Sequence, residues 1–458
     1  MSFTDLAFPP FLLLVLLLFR LLPGKARPAL LLAASWTFYA CHDLRLLGLL
    51  IGVTFVSWFC ALRGTRGWRN AGIAVCLGAL GIFKYTQFFA DCLFALPRLF
   101  GVPSAAPQFG IILPMGISFY VFQAVSSLID TGRGRVRAER NSGYYALYLS
   151  FFPQLVAGPI ERMQDLLPQL RDLAGPAAGD REEGLRLILR GYAKKLLIAD
   201  TLAPLVNAAY ADPASAGGAA MLAATAFFAL QIYGDFAGYS DIAIGIGRLL
   251  GIRLSENFRR PYGAGSLRDF WRRWHITLTR WLTDYLYIPL GGSKKGLARQ
   301  CLNTVLVFLV SGLWHGAGLS YAAWGLVHGI GLSAERLTER VRIPAQLRRL
   351  LTLAFVLLAW VLFRAGSLTD ALLIYRTIFT DFRPENLLAG LGADLAGLGC
   401  AVLCALMLPA VERLPVLRWK EKGGTAWLLW LLLILAVVLA RCAALTTGGD
   451  TAFIYFQF

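Results

Sequence analysis

Charge is scarce in this sequence. Asp, Glu, Lys and Arg supply 16% of its 458 residues, where a soluble globular domain carries about 25%. The deficit excludes the set of about three soluble domains that the length alone would suggest. Polar faces are missing too. The runs "FLLLVLLLF", "LLGLLIGVTFVSWFCAL", "CLNTVLVFLV", "LTLAFVLLAWVLF" and "WLLWLLLILAVVLA" have none, so each reads as all or part of a membrane span of about 20 residues. Nothing after the first run resembles a cleavage site, and it reads as a retained span rather than a signal peptide. The eight cysteines include no C-x-x-C pair and lie mostly in or beside apolar segments; they read as buried thiols and suggest no metal. Histidine is rare, with four in the chain and no H-x-x-x-H or H-x-H spacing. That argues against a zinc centre assembled from the histidines with Asp235 or Asp241.

What charge there is leans basic, to a formal +17. Such a balance can mark a nucleic-acid binder, but the cations here sit in short loops between apolar runs. Arg20, Lys25 and Arg27 flank the first run, and Arg63, Arg66 and Arg69 flank the third, while Cys41 to Arg45 shows no excess. By the positive-inside bias the amino terminus is expected outside and both basic loops inside. The segment "ERLPVLRWKEKGG" is expected on the cytoplasmic side and the following span crosses outward, which puts "TAFIYFQF" (Thr451 to Phe458) on the extracytoplasmic side. The expected class is an all-α polytopic membrane protein.

Residues 1–109 and 336–445 read as plain transmembrane scaffold, residues 446–458 as an aromatic tail. Residues 110–335 differ, because their apolar segments are interrupted by Pro, Gly, charges and aromatics. Irregular backbone at membrane depth is tolerated only where protein or water covers it, so this region is expected to be a buried functional core. Tyr144 to Ile160 is apolar between two charged flanks; a segment bent at Pro153 and Gly158-Pro159 that returns to the same side fits better than a crossing. The stretch from Asn257 to Arg299, rich in Lys and Arg, is expected to form helices lying in or dipping from the cytoplasmic face.

His42 lies in a short loop and reads as structural or exposed. His275, His315 and His328 fall in the irregular core, where an ionisable group at membrane depth is costly and therefore a functional candidate. His315 in "SGLWHGAG" has glycines around it that leave room for a ligand, and His328 in "WGLVHG" is close enough for two short helices to face each other. A neutral imidazole of pKa about 6.5 can serve as a general base toward a hydroxyl that attacks an acyl thioester. Asp235 and Asp241 sit in "QIYGDFAGYSDIAIGIG", six apart and so on different helical faces; holding a partner arginine or capping a broken helix explains them better than proton relay. Its glycines read as close helix packing rather than a nucleotide loop. In "DFWRRWHITLTRWL", Arg272 and Arg273 lie between Trp271 and Trp274, a combination suited to phosphate and adenine or to anchoring at the interface.

"LPMGISFYVFQ", "FFPQLVAGPIER", "YGDFAGYSDIAIGIG", "ENFRRPY", "FWRRWHITLTRWLTDYLYIPLGG", "SGLWHGAG" and "WGLVHG" occur in this order. Together they resemble the membrane-bound O-acyltransferase family, in particular its bacterial alginate O-acetyltransferase branch. The resemblance implies a multi-helix core with a central tunnel and with re-entrant and interfacial helices, and makes 110–335 the catalytic core. It implies His315 as the catalytic histidine, with His328 and His275 matching the family's other motif histidines. Trp314, Trp274, Arg272, Arg273 and Asp235 are the accompanying substrate-site candidates. It also implies an acyl donor from the cytoplasm, acetyl-CoA, no bound cofactor, and an acceptor system outside that includes a periplasmic SGNH-hydrolase-like acyltransferase. Phe453-x-Tyr455-x-x-Phe458 resembles the carboxyl-terminal F-x-Y-x-x-F signature of the small membrane partner in teichoic-acid D-alanylation. On that reading the aromatics plug an apolar funnel and Tyr455 accepts the acyl group near His315; an interfacial aromatic anchor is the alternative. The expected location is the bacterial inner membrane, among lipid, with no nucleic-acid partner. Two other readings stay open: D-alanyl transfer from a carrier protein, and transport of a lipid-linked sugar, which predicts repeated broken helices that the sequence does not display.

Overall fold

The computed structural model describes residues 1–100, 102–416 and 425–447. The tail candidates Phe453, Tyr455 and Phe458 lie outside the described residues. Among the described residues the regular structure is helical, with no strand. Six helices are long and apolar enough to cross a membrane: Leu44–Arg63, Arg66–Pro97, Gly218–Leu249, Leu297–His315, Ala345–Arg364 and Leu395–Glu412. The protein is multi-pass. The chain forms two compact units, which divide it differently from the sequence pattern.

The first unit comprises Met1–Arg181 and Ile246–Ser255. Its helices are α1 (Phe8–Leu21), α2 (Arg27–Ala40), α3 (Leu44–Arg63), α4 (Arg66–Leu99), α5 (Ile117–Gly132), α6 (Ser142–Ser150), α7 (Phe152–Leu155) and α8 (Met163–Arg171). Helix α1 opens with prolines in its first turn, where no amide hydrogen bond is lost. The Asp43 carboxylate caps α3 by accepting from the Arg45 amide at 2.8 Å, and Gly64 ends it at φ +66°. Exposed apolar side chains on α3 and α4, such as Phe55, Val75, Ile82 and Phe89, are suited to face lipid. Helix α6 is nine residues long, about 14 Å against a hydrocarbon core of about 30 Å. The chain turns at Phe151, and Pro153 lies in the first turn of α7. Tyr144 to Ile160 therefore holds no single spanning helix, as the bent reading expects. The turn into α5 depends on Gly116, at φ +74°, where a Cβ would stand 2.5 Å from the Leu155 carbonyl oxygen.

The second unit comprises Glu182–Gly245 and the described residues from Glu256 on. It is built from α9 (Asp180–Tyr192), a π-helical turn (Ala193–Ala199), α10 (Asp200–Ala211), α11 (Pro213–Ala216), α12 (Gly218–Leu249), α13 (Leu267–Trp271), α14 (Ile276–Leu282), α15 (Leu297–His315), α16 (Leu319–Leu337), α17 (Ala345–Arg364), α18 (Leu368–Thr380), α19 (Leu387–Gly390), α20 (Leu395–Glu412) and α21 (Thr425–Thr447). Asn257 to Arg299 contains only short helices and turns before α15, as its charge pattern suggests.

Helix α12 departs from expectation. The motif that reads as an interrupted segment is one continuous helix of 32 residues, and its aspartates cap no break. Asp241 accepts from Arg190 at 2.5 and 2.8 Å and pairs with Lys194 at 2.9 Å. Asp235 pairs with Lys195 at 2.8 Å, which Asp200 also holds at 2.8 Å. The π-helical turn reconciles these pairs, because its two consecutive lysines reach aspartates that do not share a helical face. Glycines bring the backbones close enough for this. A Cβ on Gly238 would meet the Gly191 carbonyl oxygen at 2.8 Å, and one on Gly245 would meet that of Gly184 at 2.6 Å.

The same device joins α15 to α16. A Cβ on Gly312 would stand 2.1 Å from the Tyr321 carbonyl oxygen, and one on Gly325 2.2 Å from that of Phe308. Backbone cannot swing aside as a flexible side chain does, so Gly312→Ala is expected to cost about 1–3 kcal/mol by forcing the helices apart. Thermal unfolding in detergent checks this; an unchanged midpoint would mean that the helices part freely.

Candidate functional site

Four elements meet at the end of α15: the helix itself, α16, α17 and the turn that carries His275. His315 is the last residue of that helix and is buried. Its ring packs edge-on against Trp324 of α16 at 5.3 Å and Phe363 of α17 at 5.3 Å, with Trp314 at 4.9 Å. The His275 ring lies 6.2 Å away. Trp324 itself stacks on Trp360 at 5.8 Å. Helix α17 lies in the region that reads as scaffold, yet it supplies Phe363 and Trp360 to this aromatic box.

His275 is held in place by its own turn. It adopts a left-handed backbone, φ 43° and ψ 54°, which is costly for a residue with a Cβ. Asn257 supports the strain: its carbonyl accepts from the Ile276 amide at 3.0 Å, and its side-chain Oδ1 accepts from Thr277 Oγ1 at 2.9 Å and lies 3.1 Å from His275 Nδ1. Asn257 Nδ2 donates to Ser240 Oγ at 3.3 Å, which orients the amide. An oxygen accepts only, so its neighbour Nδ1 carries the proton and the lone pair of the neutral ring is on Nε2.

His328 is set the opposite way. Trp271 Nε1 donates to His328 Nδ1 at 3.3 Å. An indole N–H only donates, so the proton of the neutral ring sits on Nε2. The spacing that suggests two facing helices is matched by α15 packed on α16, but the two histidine rings do not meet. Trp324 stands between them, 5.3 Å from one ring and 4.9 Å from the other. Through Trp271, His328 borders a separate space.

That space is a cavity of about 450 Å³. Arg268, Arg272 and Arg336 line it, as do Trp271, Phe308 and Ser311. Ser311 is one helical turn before His315 on α15. The four-residue run of Trp and Arg is sorted by this arrangement. Trp271 and Trp274 are buried, and Trp274 stacks on Phe270 at 5.6 Å within the core rather than facing the cavity. Arg272 lines the cavity. Arg273 turns to Asp269 at 2.8 Å. Burial raises the Asp269 carboxyl, but hydrogen bonds from Arg273 and the Gly265 amide outweigh it and hold the group below the usual carboxylate range. Among the described residues, neither guanidinium stacks on either indole. Arg268 and Arg336 both contact Glu339, at 3.5 Å for Arg268.

Asp235 is bonded to Lys195 and does not line the cavity; the next residue, Phe236, meets His275 edge-on at 4.7 Å. His42 is exposed in the turn before α3. Among the described residues no three His, Cys, Asp or Glu side chains gather as a metal-ligand set. Asn257, Trp324, Phe363, Arg268 and Arg336 went unread in the sequence as site residues. Two of them carried a signal: Asn257 lies within "ENFRRPY" and Trp324 opens "WGLVHG".

Comparison with known proteins agrees with the motif order. The sequence profile of the membrane-bound O-acyltransferase family matches residues 141–374. A probable alginate O-acetylase of Pseudomonas putida is 37% identical over 98% of this chain and 98% of its own length. One from Azotobacter vinelandii is 41% identical over 81% of this chain and 76% of its own. A peptidoglycan O-acetyltransferase of Helicobacter pylori is 36% identical over 76% of this chain and 72% of its own.

Proposed function

Because this chain belongs to the membrane-bound O-acyltransferase family, we propose that it is an O-acetyltransferase working across the bacterial inner membrane. It takes an acetyl group from cytoplasmic acetyl-CoA and delivers it outward for O-acetylation of an extracellular or periplasmic polysaccharide. The observation that carries this reading is the cavity with Arg268, Arg272 and Arg336 in its wall, where Ser311 also lies, one helical turn from His315. Guanidinium groups recognise phosphates, and a nucleotide-bearing thioester presents phosphates at one end and its acyl group at the other. The long alginate O-acetylase relatives support the acetyl group as cargo.

Tyr455 is the acceptor in this scheme. His315 takes the phenol proton as the oxygen attacks the thioester carbonyl. The C–S bond breaks as the C–O bond forms, and the proton passes to the departing thiolate. No net proton is gained or lost. His275 and His328 hold the surrounding rings, one offering a lone pair and the other an N–H. The tyrosyl ester then emerges outside, where a periplasmic SGNH-hydrolase-like partner moves the acetyl group to a sugar hydroxyl.

The test uses the full chain in sealed vesicles with labelled acetyl-CoA supplied on one side. Label is expected on Tyr455 when the acceptor is withheld, located by mass spectrometry of the trapped protein. Turnover with no label on Tyr455, together with wild-type transfer by Tyr455→Phe, would remove the tyrosyl relay while leaving the acyltransferase reading in place. A requirement for an acyl-loaded carrier protein would replace acetyl-CoA as the donor.

A further inference from the structure

A second cavity, of about 520 Å³, lies in the first unit. Leu13, Leu16 and Leu17 of α1 form one wall; Arg20, Arg27 and Arg181 add three cations. Leu13, Leu17 and Arg20 fall at helical spacing, so they make one stripe along α1 that is apolar for its length and cationic at its end. Leu13 is 67% exposed and Leu17 54%, as befits a surface covered by something apolar in a membrane protein.

The cations are not consumed by the fold. Arg20 and Arg181 are exposed, and among the described residues no carboxylate pairs with Arg20, Arg27 or Arg181. The nearby Asp180 is held instead by Arg248 at 2.6 Å. Arg27 is anchored: it donates to the Leu173 carbonyl at 2.6 Å and lies over the Phe19 ring at 4.7 Å. That fixes one guanidinium at the cavity wall while its Nε stays buried without a partner. No Asp or Glu lines the cavity.

We propose that this groove is a binding site for an anionic phospholipid, with an acyl chain along the Leu13–Leu17 stripe and the phosphate among Arg20, Arg27 and Arg181. Positive groups clustered where an apolar helix surface meets its basic loop suit an acidic headgroup on charge and a lipid on shape. A free phosphate ion would use the arginines and leave the leucine stripe uncovered.

Native mass spectrometry of the full protein in detergent, titrated with phosphatidylglycerol or phosphatidylcholine, tests the site. Arg20→Gln/Arg181→Gln leaves the Arg27 anchor intact and is expected to bind phosphatidylglycerol about thirtyfold more weakly, as follows for two cations near an acidic headgroup. Lys25→Gln/Arg66→Gln removes the same charge from exposed positions outside the groove and is expected to leave binding unchanged. Equal weakening in both variants would reduce the effect to bulk charge and overturn the site. So would equal affinity for the two lipids, or displacement of phosphatidylglycerol by millimolar inorganic phosphate alone.

Discussion

Replacing His315 with alanine is expected to lower acyl transfer by about 100- to 10,000-fold, the range for loss of a positioned general base. The expectation follows from where the ring sits. It closes α15 one turn beyond Ser311 of the cavity wall, among Trp314, Trp324 and Phe363. None of those rings can take a proton from a phenol. Donor binding is expected to survive, because Arg268, Arg272 and Arg336 are on other parts of the chain. The change should therefore appear in kcat and leave the dissociation constant for acetyl-CoA nearly untouched. His315→Gln controls for the space that alanine leaves, and should be as inactive. The informative rival is His275, whose Nε2 lone pair belongs to a ring 6.2 Å from His315. Activity within threefold of wild type in His315→Ala, alongside inactivity in His275→Gln, would transfer the base role to His275.

Lys195→Met is expected to destabilise the protein by about 3–5 kcal/mol, the cost of breaking a buried ion pair from one side. Asp235 is 2% exposed at its side chain and Asp200 17%. Removing the lysine takes away the buried cation that Asp235 and Asp200 share, and Asp235 is the deeper of the two. Lys195→Met/Asp235→Leu removes both charges of the deeper pair and is expected to recover most of the loss, since apolar replacements of a buried pair are often tolerated. The effect should reach the chemistry. Helix α12 carries Phe236 against the His275 ring and Ser240 to the Asn257 amide, so loosening its attachment to the π-helical turn frees the support of His275. Thermal unfolding and transfer rate are to be read together; a single mutant as stable as wild type would show the pair to be dispensable.

The histidine pair shows where the reading of the chain stops. Hydropathy, short basic loops and motif order mark a polytopic helical membrane protein, and the family follows from seven short segments in sequence. The bend near Pro153 and the short helices after Asn257 follow from local chemistry, because proline, glycine and charge act on the residues beside them. Spacing between His315 and His328 suggests two facing helices, and only the packing of α15 on α16 shows that Trp324 stands between the rings.

Local backbone preference and apolar patterning thus determined, from the sequence alone, the class of protein, the bend near Pro153 and the histidines worth weighing, while the supposed break in α12 proved to be continuous helix. The tertiary structure decided which nitrogen of His275 and of His328 bears the proton, which arginine of the adjacent pair faces the cavity, and which lysine each aspartate of α12 holds. The histidine and aspartate outcomes depend on partners from 18 to 57 residues away along the chain. The aspartate pairs of α12 and the packing of α15 on α16 are helped by glycines at Gly238, Gly245, Gly312 and Gly325, which let helix backbones approach within distances that a single methyl group would forbid.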